Sequence, residues 1–538
     1  GSTTSLNNLL LFSQDLSKTA GFLNAINAVR NSSGQIVCSV NADADPTNDD
    51  PACVPISLFG SGNATLTPAA LRYINTTAYN RQRASELDIT ANVSGDLSRW
   101  FTTWGGGSLA FNVGGEYRRE TASSTWDPLT KAGATFLNAL PDFLPPALSS
   151  KEGYAEIALP IVKDMRFAKE LSINAAARYS DYNTAGGIWS YNVGAIYAPT
   201  RDIKFRFGYA RSIRTPTQTD LYATPSQNFG FITDPCDVQN RHTGAATRDA
   251  NCTAAGIPVD FINDPARTTS LSFLQGGNPG LKPETSDSYT VGTIVTPRWL
   301  PGFSLTVDYY NITINKVIQT IDAQQIVDNC YDAASLNNVY CGLVFRDPTT
   351  HLFQDPAVLA GPVNFARQKT AGIDLNLSYA HHFSNGDIFN IQTIGALVLR
   401  RDNYLDVSNP GRVTRQLGNL GDPKWEATGN FDYQHGPIAL HYKLHFIGHM
   451  YLDDYADYYS LNGEAPQQPE YNLAKKYPVT WYHDLKLTFD VRKGYQFYVG
   501  VDNLTDKLPP YGLTGTGNGS AIYDNVGRFF YAGFKVNL

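Results

Sequence analysis

Apolar residues recur with a period of two along much of this chain, including its last thirteen residues, 526–538, where the opposite face is mixed. One side of a strand there carries only apolar residues, namely Phe530, Ala532, Phe534, Val536 and Leu538. Because successive strand side chains point to opposite faces, this pattern describes a ribbon with one apolar face. Outer-membrane barrels often end in such a strand, whose apolar face meets lipid. We therefore expect an all-β, antiparallel transmembrane barrel.

The same alternation recurs in segments such as 171–180, 203–209, 373–379 and 485–491. A soluble β-sandwich would show the same alternation. However, many runs exceed the roughly 9–11 residues that cross a bilayer, whereas soluble strands average about 5–6. No stretch of about 18 apolar residues occurs, so no transmembrane helix is expected. Strand length therefore favours the membrane protein over the sandwich.

Short and long connections alternate between successive strands. Tight turns rich in Gly, Pro, Asn and Asp occur at 198–202, 383–387 and 434–437. Much longer connections lie at about 120–150, 215–282, 319–362, 403–423, 451–478 and 507–525. This asymmetry is typical of bacterial outer-membrane barrels, which have turns in the periplasm and loops outside.

The composition agrees with a barrel and argues against one class of partner. Aromatic residues make up 12% of the chain, and charged residues make up 17%, against about 25% in soluble domains. The net charge of -7 leaves no basic footprint, so nucleic acid is not an expected partner.

Six cysteines fall into three close pairs, each inside a long polar segment, and none has CxxC spacing. This arrangement favours three local disulfides in an oxidising compartment over a zinc site. The pairs are Cys38 with Cys53, Cys236 with Cys252, and Cys330 with Cys341.

Counting back from the C-terminus gives fifteen strands, the first near 77–97. Residues 1–75 are interpreted as an extracellular loop with a disulfide and a short helix at Pro68–Ile74, and residues 76–538 as barrel strands with long loops. Single-chain bacterial barrels have an even number of strands. The chain is therefore expected to begin within an outward loop.

Several segments form a more specific, ordered series. They are 211–216 (RSIRTP), 276–286 (GGNPGLKPETS), 307–312 (VDYYNI), 370–374 (TAGID) and 500–506 (GVDNLTD). From about Cys53 to Leu538, the chain resembles the barrel of TonB-dependent outer-membrane receptors. Family members usually end in Phe or Trp, where this chain has Leu538.

The resemblance implies a barrel of 22 strands in a Gram-negative outer membrane, preceded by a plug and a TonB-box peptide. About 15 strands here would leave seven missing. We therefore expect a partner fragment that carries the plug and the remaining strands, with TonB acting through that plug. The implied function is import of a scarce nutrient, of which siderophores, vitamins, glycans and peptides are all candidates. The alternative is a passive porin-like channel or a surface ligand-binding barrel.

His441, His445 and His449 recur at every fourth position, on the same strand face as Lys443. The opposite face is apolar, so these side chains are expected in the lumen. Four strand residues span about 13 Å, so the three histidines cannot share one metal ion. They are interpreted as ordinary polar lining or as a substrate path or plug contact, and no metal is assigned.

The same segment continues into an aromatic and acidic loop, with Tyr451, Asp453, Asp454 and Tyr455 followed by Asp457, Tyr458 and Tyr459. Tyrosine rings offer rigid faces and carboxylates accept hydroxyl hydrogen bonds, so a sugar or peptide ligand would fit. The alternative is an aromatic girdle beside solvated charges. The chain has no HExxH or GxSxG motif. No enzyme activity and no cofactor are therefore expected.

Overall fold

The computed structural model describes residues 2–10, 21–59, 66–103, 105–135, 139–405, 411–470, 475–492, 494–510 and 520–536. Side chains are described in these segments except at 2–10, 365, 366 and 520. Leu538, the predicted closing residue, and positions 511–519 of the last predicted loop lie outside the described residues.

The N-terminal region contains short elements and one strand that the sequence did not predict. They are β1 (Ser2–Leu10), α1 (Gly21–Ile26), β2 (Ala28–Arg30), β3 (Ile36–Cys38), the 3₁₀ helix η1 (Ser39–Asn41) and α2 (Pro68–Ile74). β1 pairs antiparallel with the first long strand, β4 (Asn75–Asp96). Residues 1–75 are therefore not loop throughout. A nine-residue polar run gives little alternation signal, and its pairing with β4 becomes visible only in three dimensions.

The remaining elements follow in chain order. They are β5 (Ala110–Trp126), α3 (Pro128–Lys131), β6 (Leu148–Met165), β7 (Ala168–Tyr182), β8 (Gly186–Ala198), β9 (Ile203–Arg214), α4 (Gln218–Tyr222), β10 (Ser226–Gly230), α5 (Arg248–Ala254), α6 (Asp264–Thr268), β11 (Leu271–Gln275), β12 (Glu284–Val295), β13 (Phe303–Ile321), α7 (Ala323–Asp332), η2 (Cys341–Leu343), β14 (Val344–Arg346), β15 (Phe353–His382), β16 (Ile388–Tyr404), β17 (Thr414–Arg415), β18 (Trp425–His435), β19 (Ile438–Ile447), β20 (Met450–Tyr451), α8 (Tyr455–Tyr458), β21 (Lys476–Tyr477), β22 (Thr480–Arg492), β23 (Tyr495–Asp502), η3 (Ser520–Ile522) and β24 (Phe529–Val536).

Fifteen of these elements, here called the wall strands, correspond to the alternating strands that the sequence predicts, and β1 adds a sixteenth strand beside β4. The wall strands are β4 to β9, β12, β13, β15, β16, β18, β19 and β22 to β24. Each pairs antiparallel with the next in this order. The prediction of an all-β, mostly antiparallel chain is confirmed. Closure into 22 strands stays a prediction.

The wall strands have one apolar face that is open to the surroundings. On β4, Val93 is 68% exposed, and on the last strand Phe534 is 60% exposed. Antiparallel partners share a face, so the apolar residues form one band across neighbouring strands. Such a band matches the lipid-facing side of a barrel. We call this side the outward face and the opposite side the polar face.

The predicted loops 215–282 and 319–362 pack together into one unit with its own core. Ile326 and Val327 of α7 are buried against Ile232 from the preceding loop. Both cystines of these loops, Cys236–Cys252 and Cys330–Cys341, belong to the same core. We call the residues of 215–282 and 319–362 around this core the disulfide loop unit. The third predicted bond, Cys38–Cys53, is also formed, so all three pairings are confirmed.

Arginine–aspartate pairs fasten the disulfide loop unit. Arg346 donates from Nη2 to Asp234 Oδ1 at 2.6 Å and from Nη1 to Asp234 Oδ2 at 2.7 Å. Arg267 Nη2 lies 2.5 Å from Asp237 Oδ1. Because these pairs join residues far apart in sequence, they hold the loops in one arrangement.

Among the described residues, no helix has the length and apolar character needed to cross a membrane.

Candidate functional site

The predicted histidines of β19 lie on the polar face and contact carboxylates of the neighbouring strand β18. His441 is the register partner of Asp432, and its Nδ1 lies 2.6 Å from Asp432 Oδ1. His445 Nε2 lies 3.0 Å from Glu426 Oε1. Each of these two histidines therefore has its own acidic partner on β18.

Lys443 lies between these histidines and contacts the other neighbouring strand, β22. Its Nζ lies 3.1 Å from Oδ2 of Asp484, its direct register partner. The second oxygen of Asp484, Oδ1, accepts the backbone N–H of Asn503 at 2.8 Å. The carboxylate is thus oriented from two sides, which leaves the lysine as the adjustable member of the pair.

His449 lies beyond the end of β19 and away from the other two histidines. Its Nε2 is 3.3 Å from Nζ of Lys476. Burial lowers the pKa of His449, and the nearby charges of Lys476 and Lys424 lower it further. It is therefore a neutral group at neutral pH. In the described part of the chain, no three His, Cys, Asp or Glu side chains gather as metal ligands.

A cavity of about 500 Å³ opens on the polar face beside Lys443 and His445. We call it the wall pocket. Its other polar lining includes Tyr482, Asp484, Asp502 and Asp524. Sequence reasoning missed these four residues, although the first three occupy polar-phase positions of β22 and β23. Their alignment with β19 depends on strand register across long loops, which alternation does not reveal.

The predicted aromatic loop forms a compact group of rings, here called the tyrosine cluster. Tyr451 lies 5.7 Å from Tyr455 and 5.7 Å from Tyr459, measured between ring centroids. Tyr455 and Tyr459 are stacked at 5.0 Å. Tyr458 completes the group, 6.4 Å from Tyr451.

Basic side chains cover the tyrosine cluster. Arg415 lies over the ring of Tyr455 at 4.6 Å, and Lys476 lies over the ring of Tyr451 at 5.2 Å. Cations favour these positions because the face of an aromatic ring carries negative potential. The cluster therefore presents aromatic faces and positive charge together, which sequence spacing alone did not indicate.

The acidic residues of this loop have different roles. Asp453 is exposed. Asp454 accepts from Asn419 Nδ2 at 2.8 Å, and its backbone N–H donates to Asp457 Oδ2 at 3.1 Å. Burial raises the pKa of Asp457, and the charge of Asp453 raises it further. Asp454 and Asp457 therefore shape the start of α8, while Asp453 remains accessible to a ligand.

A small apolar core connects the tyrosine cluster with the wall pocket. Met450, which directly precedes Tyr451, is fully buried with Ile447, Tyr482 and Tyr523. Because Tyr482 also lines the wall pocket, the two candidate surfaces share a structural support. The structure thus brings Lys443, His445 and the tyrosines into one region. His449 belongs to this region through its contact with Lys476, whereas His441 contacts Asp432 and does not line the wall pocket.

A run of antiparallel strands with an apolar band on one face, a polar opposite face and long loops is the architecture of outer-membrane β-barrel proteins. A sequence model of the family described as TonB dependent receptor-like, beta-barrel matches residues 13–504. Because this match covers most of the chain, the chain belongs to the TonB-dependent receptor family.

Solved structures show the same fold at low sequence identity. The siderophore receptor PirA from Acinetobacter baumannii superposes with a TM-score of 0.53 at 12% identity, over 86% of this chain and 55% of that chain. A mutant of the ferric enterobactin receptor PfeA from Pseudomonas aeruginosa, in complex with enterobactin, superposes with a TM-score of 0.53 at 16% identity, over 95% and 58%. The chain thus spans 55% to 58% of the length of these receptors. No curated protein matches the chain.

Proposed function

We propose that this chain is the barrel portion of a TonB-dependent active transporter that imports a scarce nutrient across the outer membrane of a Gram-negative bacterium. The family match over residues 13–504 is the observation that carries the proposal. The polar wall supports it, because a transport route needs hydrophilic groups along the lumen. The outward apolar band supports a location in the bilayer.

The ligand is captured first at the tyrosine cluster. Tyr451 and Tyr455 offer ring faces, Asp453 offers an exposed carboxylate, and Arg415 and Lys476 supply positive charge. Aromatic faces bind flat or apolar surfaces with little loss of conformational entropy. Siderophores, vitamins, glycans and peptides all carry groups that suit such a surface, so the residues define a binding mode and not one compound.

The wall pocket is the second binding site along the proposed transport route. Lys443 and His445 face three carboxylates there, Asp484, Asp502 and Asp524. A ligand that carries both an amine donor and an acidic group would replace the Lys443–Asp484 ion pair, and hydroxyl donors would bind the other two carboxylates. Because the lysine is half exposed, this exchange requires little free energy.

The proposed partner is an N-terminal fragment of the same receptor that carries the plug and the remaining strands. The greater length of the solved receptors supports this proposal. Unpaired strand edges in lipid cost several kcal/mol for each unsatisfied backbone group, so a partner that covers them is strongly favoured. TonB would act on the plug, whose movement opens the route along the wall.

Two measurements on the protein purified from its native membrane test this assignment. Intact mass and N-terminal sequencing should find a plug-bearing segment together with this chain. Planar-bilayer recording should show a closed pore, because the plug fills the lumen. A purified protein without any plug-bearing segment, conducting ions continuously, would instead establish a passive channel.

A further inference from the structure

Three neighbouring wall strands carry basic residues on the outward face, beside the apolar band. Arg119 on β5 is the register partner of Leu87 on β4, and Lys151 on β6 is the partner of Tyr117 on β5. Leu87 belongs to the apolar band and is 50% exposed. Because register partners share a face, the cations lie at the outer margin of the band.

Arg83 and Arg81 continue this surface away from the membrane along β4. Both are exposed, at positions of the same phase as Leu87. The guanidinium of Arg81 lies 5.3 Å from the ring centroid of Tyr79. We call Arg81, Arg83, Arg119 and Lys151 the outward basic patch.

Hydroxyl groups surround the outward basic patch. Arg83 is opposite Ser123, and Arg119 is opposite Ser149. Ser85 and Thr121 are also paired on this face, with their hydroxyl oxygens 2.6 Å apart. Arginines beside hydroxyl donors form a surface suited to phosphate oxygens.

Carboxylates are distributed asymmetrically between the two faces of β4, β5 and β6. The polar face carries acids that pair with cations, as where Arg118 Nη2 lies 2.9 Å from Glu86 Oε1. On the outward face, none of the described positions at 79–95, 111–125 and 149–159 is Asp or Glu. On the next strand of this face, β7, Asp181 is the register partner of Lys151. Among the described side chains of these three strands, Arg83 and Arg119 therefore have no acid on their own face.

A different arrangement occurs at β9, where an outward arginine has an internal partner. Arg211 lies two positions above Tyr209, as Arg119 lies two positions above Tyr117. Arg211 Nη1 is 3.5 Å from Oδ1 of Asp287, its register partner on β12. This residue gives a matched control, since it has the same chemistry and a similar place but a balanced charge.

We propose that the outward basic patch binds the phosphate group of an anionic lipid in the outer leaflet. The acyl chains lie along the apolar band below Leu87, and Arg83 and Arg119 contact the phosphate oxygens. Electrostatic attraction between clustered basic residues and anionic lipid adds to the burial of the apolar chains. The site is separate from the tyrosine cluster and the wall pocket, so it does not depend on the transported ligand.

Native mass spectrometry of the full-length protein in detergent tests this site, with dioleoylphosphatidic acid as the probe. The matched neutral-headgroup lipid is dioleoylphosphatidylcholine, and inorganic phosphate is the soluble competitor. We expect phosphatidic acid to bind more tightly than phosphatidylcholine. Because the lipid is held by its chains as well, millimolar inorganic phosphate should not displace it.

The double variant Arg83→Ser/Arg119→Ser should weaken binding of phosphatidic acid by about tenfold. Arg211→Ser should leave it unchanged, and Arg83→Lys/Arg119→Lys should restore part of it. Heat-dependent mobility on a gel verifies that each variant is folded. If the unaltered protein bound phosphatidic acid and phosphatidylcholine equally well, that result alone would overturn the proposal. The proposal would also be overturned if the double serine variant bound phosphatidic acid as tightly as the unaltered protein does. Displacement of bound phosphatidic acid by inorganic phosphate would overturn it as well.

Discussion

Lys443 on β19 and Asp484 on β22 lie directly opposite each other, with Nζ 3.1 Å from Oδ2, although 41 positions separate them in sequence. This pair forms part of the wall pocket, where further carboxylates surround it. This pair offers the first test of the proposed transport route. The charge of Lys443 can be removed without disturbing a hydrophobic core, because the side chain lines the pocket.

Lys443→Met should lower ligand uptake while leaving the fold intact. The lysine side chain is 50% exposed, so the pair stabilises the protein by no more than about 1 kcal/mol. A lost charged hydrogen bond to ligand should weaken uptake by about tenfold. Uptake by cells of a labelled ligand, selected by its binding to the purified protein, measures the effect. Lys204→Met, which removes a similar pair with Glu170 at 2.7 Å elsewhere on the wall, should leave uptake unchanged.

Tyr455→Ala should weaken capture of the ligand at the cell surface. The variant removes the stacking with Tyr459 at 5.0 Å and the contact with Arg415. Aromatic contacts of this kind contribute about 0.5–1.5 kcal/mol, so binding should weaken by roughly 2- to 10-fold. Equilibrium binding to whole cells provides the measurement. Tyr197→Ala breaks a ring pair on the outward face, with Phe205 at 6.5 Å, and should not change binding.

Arg346→Met should loosen the disulfide loop unit. The side chains of Arg346 and Asp234 are 10% and 1% exposed, so the variant leaves a buried carboxylate unpaired. Breaking such a pair costs about 3–5 kcal/mol. Hydrogen exchange of α7 should accelerate accordingly. In the matched variant Arg298→Met, the lost pair with Asp202 is at the surface, and exchange of its surrounding backbone should barely change.

Reduction of the two cystines in the disulfide loop unit should loosen the loops but not the wall. Cys236–Cys252 closes a loop across 16 positions, for which the chain-entropy relation gives about 3 kcal/mol. The paired variant Cys236→Ser/Cys252→Ser should therefore be cleaved faster by protease within 215–282. The wall strands should stay protected from the protease. If the variant made the wall strands as susceptible to cleavage as the loops, the division into disulfide loop unit and wall would be contradicted.

Lowering the pH should destabilise the disulfide loop unit, because Asp237 then becomes protonated. Burial alone would raise the pKa of this carboxyl, but hydrogen bonds from Arg267 and from backbone N–H groups lower it below its ordinary value. Its stabilising contribution is therefore complete above the unfolded pKa of about 3.9 and is lost as pH falls through the folded value. Protection factors for hydrogen exchange in the unit, which correct for the intrinsic dependence of exchange on pH, should thus fall below about pH 4. Asp237→Asn should exchange faster at neutral pH and show a smaller dependence on acid; an unchanged acid dependence would contradict this role.

Period-two alternation predicted the wall because it records a local property, the face to which each side chain points. The spacing of Cys236 and Cys252 likewise sufficed for a pairing across a short loop. The contact of Asp484 with Lys443 was beyond such reasoning, since it depends on the register of strands joined by a long loop. The same holds for Asp234 and Arg346, which meet only when two loops fold together.

Uptake of a labelled ligand, selected by its binding to the purified protein and supplied to cells with and without TonB, tests the central proposal most directly. We predict saturable uptake that requires TonB and stops when a protonophore removes the energy source. Uptake that continues without TonB and rises linearly with ligand concentration would contradict active transport and establish a passive channel.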